Sequence, residues 1–153
     1  MAKPRWRGTD AQRLKFRDWL RVHQPEGNKG YVVEDLDLVL RVYGKRYDTD
    51  AVGKFILVEL KYGNAWIGYA QQKTFGLIDS VLRKGDPTGE RYLGYYVVQY
   101  DDEDWERANF KVNRVALSED EFLRFLQLDA KILARINQPN APASSSVQTE
   151  ASF

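Results

Sequence analysis

Lys54-Phe55-Ile56-Leu57-Val58-Glu59-Leu60-Lys61 is an apolar, strand-like run that ends in Glu-x-Lys. Earlier in the chain, Glu34-Asp35-Leu36-Asp37-Leu38-Val39-Leu40-Arg41 is a second apolar run broken by carboxylates. A strand alternates its faces with period two, so Glu59 and Lys61 project to the same side. An acid and an amine at the end of an otherwise apolar strand are costly to bury unless they pair or hold an ion. A polar turn at 44–50 separates strand regions expected at about 31–43 and 54–62, which makes them antiparallel, hairpin-linked neighbours.

Working outward, Thr9 and Gln12 form a capping box that opens a helix to about residue 23, stopped by Gln24-Pro25-Glu26-Gly27. Phe16, Trp19, Leu20 and His23 make its expected buried stripe, and Arg13, Arg17 and Arg21 line the neighbouring side. A second helix is expected over about 69–84, with Gln71, Phe75, Ile78 and Leu82 on one face. A strand rich in Tyr and Val follows at 92–100, then an acidic loop, a strand at 110–117, and a helix from the capping box Ser118-Glu119-Asp120-Glu121 to about 136. The expected fold class is α/β (α+β), with a mixed central β-sheet flanked by helices. Three regions are expected: a basic N-terminal arm (1–9), a folded domain (10–136), and a disordered tail (137–153) of Pro, Ala, Ser, Gln and Asn.

At 153 residues, 43% of them hydrophobic, the chain has room for one domain with a real core. No apolar run has the length of a bilayer span, and Met1-Ala2-Lys3-Pro4-Arg5-Trp6-Arg7 is not followed by a signal-type segment, so no membrane is expected and cytoplasmic residence is. The chain has no cysteine and one histidine, His23. That excludes zinc–thiolate sites, thiol nucleophiles and Ser-His-Asp hydrolysis built on any other imidazole. His23 itself is expected to pack. The net charge is +1, yet residues 1–23 hold seven bases against two acids, a local +5. Such segregation steers a polyanion to one face; the other reading is a solvated helix surface. Arg5 and Arg7, beside Trp6, suit phosphate contact and base stacking.

Hydrolysing a phosphodiester requires an activated water and a stabilised, more highly charged phosphorane. A hard divalent cation on oxygen ligands supplies both. Asp37, Glu59 and the Leu60 carbonyl would provide a partial shell, and Lys61 a compact charge beside it. Asp35 shares a face with Asp37 on a regular strand. Asp37 is preferred because Leu36, Leu38, Val39 and Leu40 surround it, which leaves Glu34 and Asp35 as auxiliary ligands. The competing reading of Glu59 and Lys61 is a plain ion pair on an edge strand.

Asp37, the Glu59-Leu60-Lys61 motif and Gln71-Gln72 at the start of the next helix, in this element order, resemble the PD-(D/E)XK nuclease superfamily over about residues 10–100. Two departures stand out: Leu36 replaces a proline before the Asp, and Asp10 and Asp18 are the only acids near the first helix, which lacks Glu. The resemblance implies a restriction-endonuclease-like fold and a Mg2+-dependent deoxyribonuclease, with Mn2+ as a substitute. Its catalytic residues would be Asp37, Glu59, Lys61 and Gln71, and its metal ligands Asp37, Glu59 and Leu60. DNA is the expected partner, held by Arg5, Arg7, Arg13, Arg17, Arg21 and Lys73, and a homodimer the expected assembly. Gln71 has a second use, capping backbone groups at a helix end. The alternative function is a nuclease-like fold that binds DNA or a protein without cutting, although all three motif residues are present. A third reading is an unrelated α+β interaction domain.

Overall fold

The protein is described by a computed structural model covering residues 11–24, 29–30, 32–43 and 51–138; the side chains of 11–14, 16 and 17 are outside that description. The expected arm at 1–9 and residues 139–153 of the expected tail lie outside the described residues. Contacts divide the chain into two units, Met1–Asp35 and Leu36–Phe153.

The described core of the first unit is helix α1, Ala11–His23. The His23 ring stacks on Trp19 at 4.2 Å and its Nδ1 lies 2.8 Å from the Trp19 carbonyl oxygen. His23 therefore contacts its own helix, yet it is exposed and not part of a buried stripe. Trp19 and Leu20, expected in a buried stripe, are exposed.

The second unit is a mixed α/β structure around a five-stranded sheet in the order β1-β2-β3-β4-β5. The strands are β1 (Leu38–Arg41), β2 (Phe55–Tyr62), β3 (Tyr92–Tyr100), β4 (Phe110–Val112) and β5 (Val115–Leu117). β1 and β2 pair antiparallel, as their polar connection dictates, whereas β2 and β3 run parallel. A parallel pair needs a long crossover. Helix α2, Tyr69–Gly85, supplies it.

Three elements differ from the sequence reading. The first strand is only four residues long, so Glu34 to Asp37 precede it. The run 110–117 folds back on itself as β4 and β5, because Asn113 (φ 48°) and Arg114 (φ 68°) form a two-residue turn. Two consecutive positive φ values match the twist of a tight hairpin. The last helix divides into α3 (Glu119–Leu126) and α4 (Ala130–Ile136), where Leu128 takes φ 56° and Asp129 caps α4 by accepting from the Lys131 and Ile132 N–H groups. The capping box of Ser118 and Glu121 forms as read. Asn137 closes α4 and donates to the Tyr96 hydroxyl at 2.9 Å.

Period two sorts the central strands into two faces. Ile56, Val58, Tyr96 and Val98 join Val112, Leu117, Phe125, Leu128, Ile132, Leu133 and Ile136 in the main core. The other face meets α2, where buried Phe75 stacks on Tyr95 at 4.9 Å. Farther along α2, Asp79 accepts from the Tyr92 hydroxyl at 2.7 Å, while Ile78, expected inward, is exposed. Burial, followed by the Asp79 carboxylate, pushes the Tyr92 phenol up, so it stays a donor. With both faces covered, β3 reads as a nearly continuous apolar strand.

Candidate active site

β2 is apolar on both faces until Glu59, which is 4% exposed. Its side chain projects toward α2. Glu59 Oε1 accepts from Lys61 Nζ at 2.9 Å and from Gln71 Nε2 at 3.0 Å. Lys61 reaches it because residues two apart on a strand share a face. Gln71 reaches it because the loop after β2 delivers the first turn of α2 over the same face. Both donors converge on one oxygen. Glu59 Oε2 is buried and has no hydrogen-bond partner among the described residues. A buried carboxylate oxygen without a protein partner forfeits its hydration for nothing, so it calls for a bound water, ion or ligand.

Asp37 lies just before β1. Continuing the pairing of Leu38 with Val58 by one step sets Asp37 opposite Glu59. Its Oδ2 accepts from the Leu60 N–H at 2.8 Å. A strand residue directs its N–H and C=O to the same neighbour, so the Leu60 carbonyl opens on the edge that Asp37 occupies. The depth expected for Asp37 is not found: it is exposed at the sheet margin, because β1 begins one residue later. Its charge reaches Tyr100, whose phenol is pushed up by desolvation first and then by the Glu103 and Asp37 carboxylates.

The remaining site residues are distributed more widely. Glu34 and Asp35 lie in the first unit. Arg21 is exposed in the last turn of α1, Arg13 and Arg17 lie on α1 with side chains outside the described set, and Arg5 and Arg7 precede the described residues. Lys73 is exposed on α2, its ammonium 5.4 Å from the centre of the Tyr69 ring.

Among the described residues no group of three or more His, Cys, Asp or Glu converges. Mg2+ does not require one. It keeps several waters and commonly takes one or two carboxylates together with substrate oxygens. Asp37, Glu59 and the Leu60 carbonyl are oxygen donors of that kind, and the unpartnered Glu59 Oε2 fits the role.

A second group of side chains escaped the sequence reading. β3 and β4 bring Gln99 beside Lys61 and Lys111 beside Gln99. These residues adjoin a cleft lined by Asn64, Trp66, Gln99, Lys111 and Arg114. Nothing local in the sequence couples positions so far apart; only the strand register does.

Compared with known proteins, the chain matches no family model, no curated protein and no solved structure.

Proposed function

We propose that the protein is a Mg2+-dependent nuclease of the PD-(D/E)XK type that hydrolyses DNA phosphodiester bonds on a restriction-endonuclease-like fold. The observation that carries this reading is the Glu59 carboxylate, buried and held at one oxygen by Lys61 and Gln71 while its other oxygen has no partner among the described residues. Element order supports the fold assignment, since an antiparallel β1–β2 pair leads through α2 into a parallel β3.

Each residue then has a defined task. Asp37, Glu59 and the Leu60 carbonyl would hold the cation, and the chemistry it would supply there is Lewis-acid polarisation of a phosphoryl oxygen and acidification of a water. Gln71 fixes the carboxylate rotamer through Oε1, which leaves Oε2 to ligate. The Lys61 ammonium, already 2.9 Å from Glu59, stabilises negative charge gathering on the phosphoryl oxygens. The first turn of α2 faces the same region, and the positive end of a helix dipole favours a phosphate. Arg5, Arg7, Arg13, Arg17, Arg21 and Lys73 contribute contacts to the DNA backbone that are independent of sequence. Like other small nucleases that cut two strands, the chain would act as a homodimer.

Incubation with plasmid, linear and branched DNA in Mg2+, Mn2+ or EDTA tests the reading. Cleavage with either metal, none in EDTA and none by Glu59→Gln is the expected pattern. A folded protein that binds DNA but cuts no substrate with either metal would instead be a catalytically silent nuclease-like binding domain.

A further inference from the structure

Beside the carboxylate site is a cleft of about 320 Å3 whose lining consists of Asn64, Trp66, Gln99, Lys111 and Arg114. Its floor is fixed by the fold. Gln99 is 8% exposed and donates through Nε2 to the Ala65 carbonyl at 2.8 Å, which ties the loop carrying Trp66 to the centre of the sheet. The Gly63 N–H donates to the Tyr100 carbonyl at 2.7 Å, which anchors the start of that loop. On the other side, Asn113 exchanges hydrogen bonds with Val97, donating through its N–H at 2.9 Å and accepting at its Oδ1 at 2.8 Å. These bonds hold the β4–β5 turn in place and aim Arg114 at the indole. The Arg114 guanidinium lies 4.5 Å from the centre of the Trp66 ring.

Arg114 occupies a position that a tight hairpin normally gives to glycine, because φ is +68° there. A long, charged side chain placed where the backbone disfavours it is a local rule broken, and such breaks concentrate at functional sites. Among the described residues neither Lys111 nor Arg114 forms a close ion pair. The Asp101 carboxylate acts on Lys111 but is already held by Asn109, so both cations can still turn to an anion. An indole face, two cations and two amides make a surface for one nucleotide. A base stacked on indole is worth more than an exposed cation–π contact, so an incoming base can displace the guanidinium and free it for phosphate.

We propose that this cleft is a subsite for one nucleotide of a single DNA strand, stacking its base on Trp66 and holding its phosphate with Lys111 and Arg114. The proposal deepens the nuclease reading and rests on it for the identity of the polymer. Strand register sets the spacing. Gln99 separates Lys61 from Lys111, so the cleft begins one strand away from Glu59, about 5 Å in the direction of the sheet hydrogen bonds. Duplex DNA hides its base faces, so the subsite selects frayed ends, flaps or junction arms over uninterrupted duplex.

The test is fluorescence anisotropy of a short labelled oligothymidylate and of a blunt hairpin duplex closed by a non-nucleotide linker, both in EDTA so that no cleavage occurs. Trp66→Ala should weaken oligothymidylate binding about tenfold, while Trp66→Phe restores it and hairpin binding stays unchanged. Arg114→Gly relieves the turn, so it should weaken the oligothymidylate while leaving the thermal midpoint equal or higher; a purely structural Arg114 would do neither. Wild-type affinity in Trp66→Ala or in Arg114→Gly, equal losses on oligothymidylate and hairpin, or no binding by the wild type would each overturn the subsite. Failure of the nuclease reading is scored separately, as absence of cleavage with Mg2+, and a Trp66-dependent binder that does not cut would keep the subsite alone.

Discussion

Replacing Glu59 by Gln separates its role as a ligand from its role in packing. Gln is isosteric, and its Oε1 can still accept from Lys61 and Gln71, which now approach at 2.9 and 3.0 Å. The Gln71 bond becomes neutral and the Lys61 bond keeps only its ammonium charge, a loss of about 1 kcal/mol each before compensation. Removing a buried charge whose second oxygen is unpartnered works in the opposite direction. In EDTA the two proteins should therefore differ by no more than about 1 kcal/mol. With Mg2+ at roughly ten times its dissociation constant, a ligand that binds only the folded state adds RT ln 11, about 1.4 kcal/mol. For a unit of this size that raises the thermal midpoint by roughly 5 °C. Wild type should show this rise in a thermal scan, and Glu59→Gln should not. Equal midpoint shifts in both proteins, or none in wild type at saturating Mg2+, would refute Glu59 as a ligand, whatever a cleavage assay reported.

Lys61→Ala should keep the Mg2+-dependent rise in midpoint yet lose about 100-fold or more in cleavage rate, read on plasmid DNA; a wild-type rate would show that its charge has no part in the chemistry. Asp86 accepts from the Tyr92 and Arg91 N–H groups at 2.7 and 2.8 Å, which hold its carboxylate below the ordinary range. Its stabilising effect is complete above the ordinary carboxylate pKa and fades as pH falls through about 4 toward the folded value. Thermal midpoints of Asp86→Asn should accordingly fall less steeply with acid than those of wild type, and an unchanged slope would count against this linkage. Phe125 is fully buried between Tyr96 and Phe122, at centroid distances of 5.4 and 5.9 Å. Phe125→Ala should cost about 3–5 kcal/mol in urea unfolding without changing the slope, and a loss below about 1 kcal/mol would mean the cluster is not the core.

Local rules carried much of the architecture. Helices α1 and α2, strands β2 and β3, the antiparallel pairing of β1 with β2 and the capping box at Ser118 all follow from periodicity, caps and turn residues within a few positions of each other. Glu59 and Lys61 share a face for the same reason, since period two is a property of one strand. The breaks carry a weaker local signal. Asn113, Arg114 and Leu128 take positive φ without being glycine. Such conformations are imposed by tertiary contacts: Asn113 is bonded to Val97 across the sheet, and Leu128 is buried in the core that α3 and α4 share. Asp129 did carry a local signal, as a capping residue ahead of an apolar run, but the continuous apolar pattern masked it.

The sequence by itself determined which residues could ligate, pair or stack, and on which side of their own strand or helix they stand. Only the tertiary structure decided their partners. Gln71 reaches Glu59 because a parallel pairing requires α2 to cross the sheet, and Lys111 comes near Lys61 because β3 lies between their strands. Asp37 is exposed at the margin because β1 begins at Leu38. Pairing and register are settled by burial summed over the whole sheet, a quantity that no short window of the chain contains.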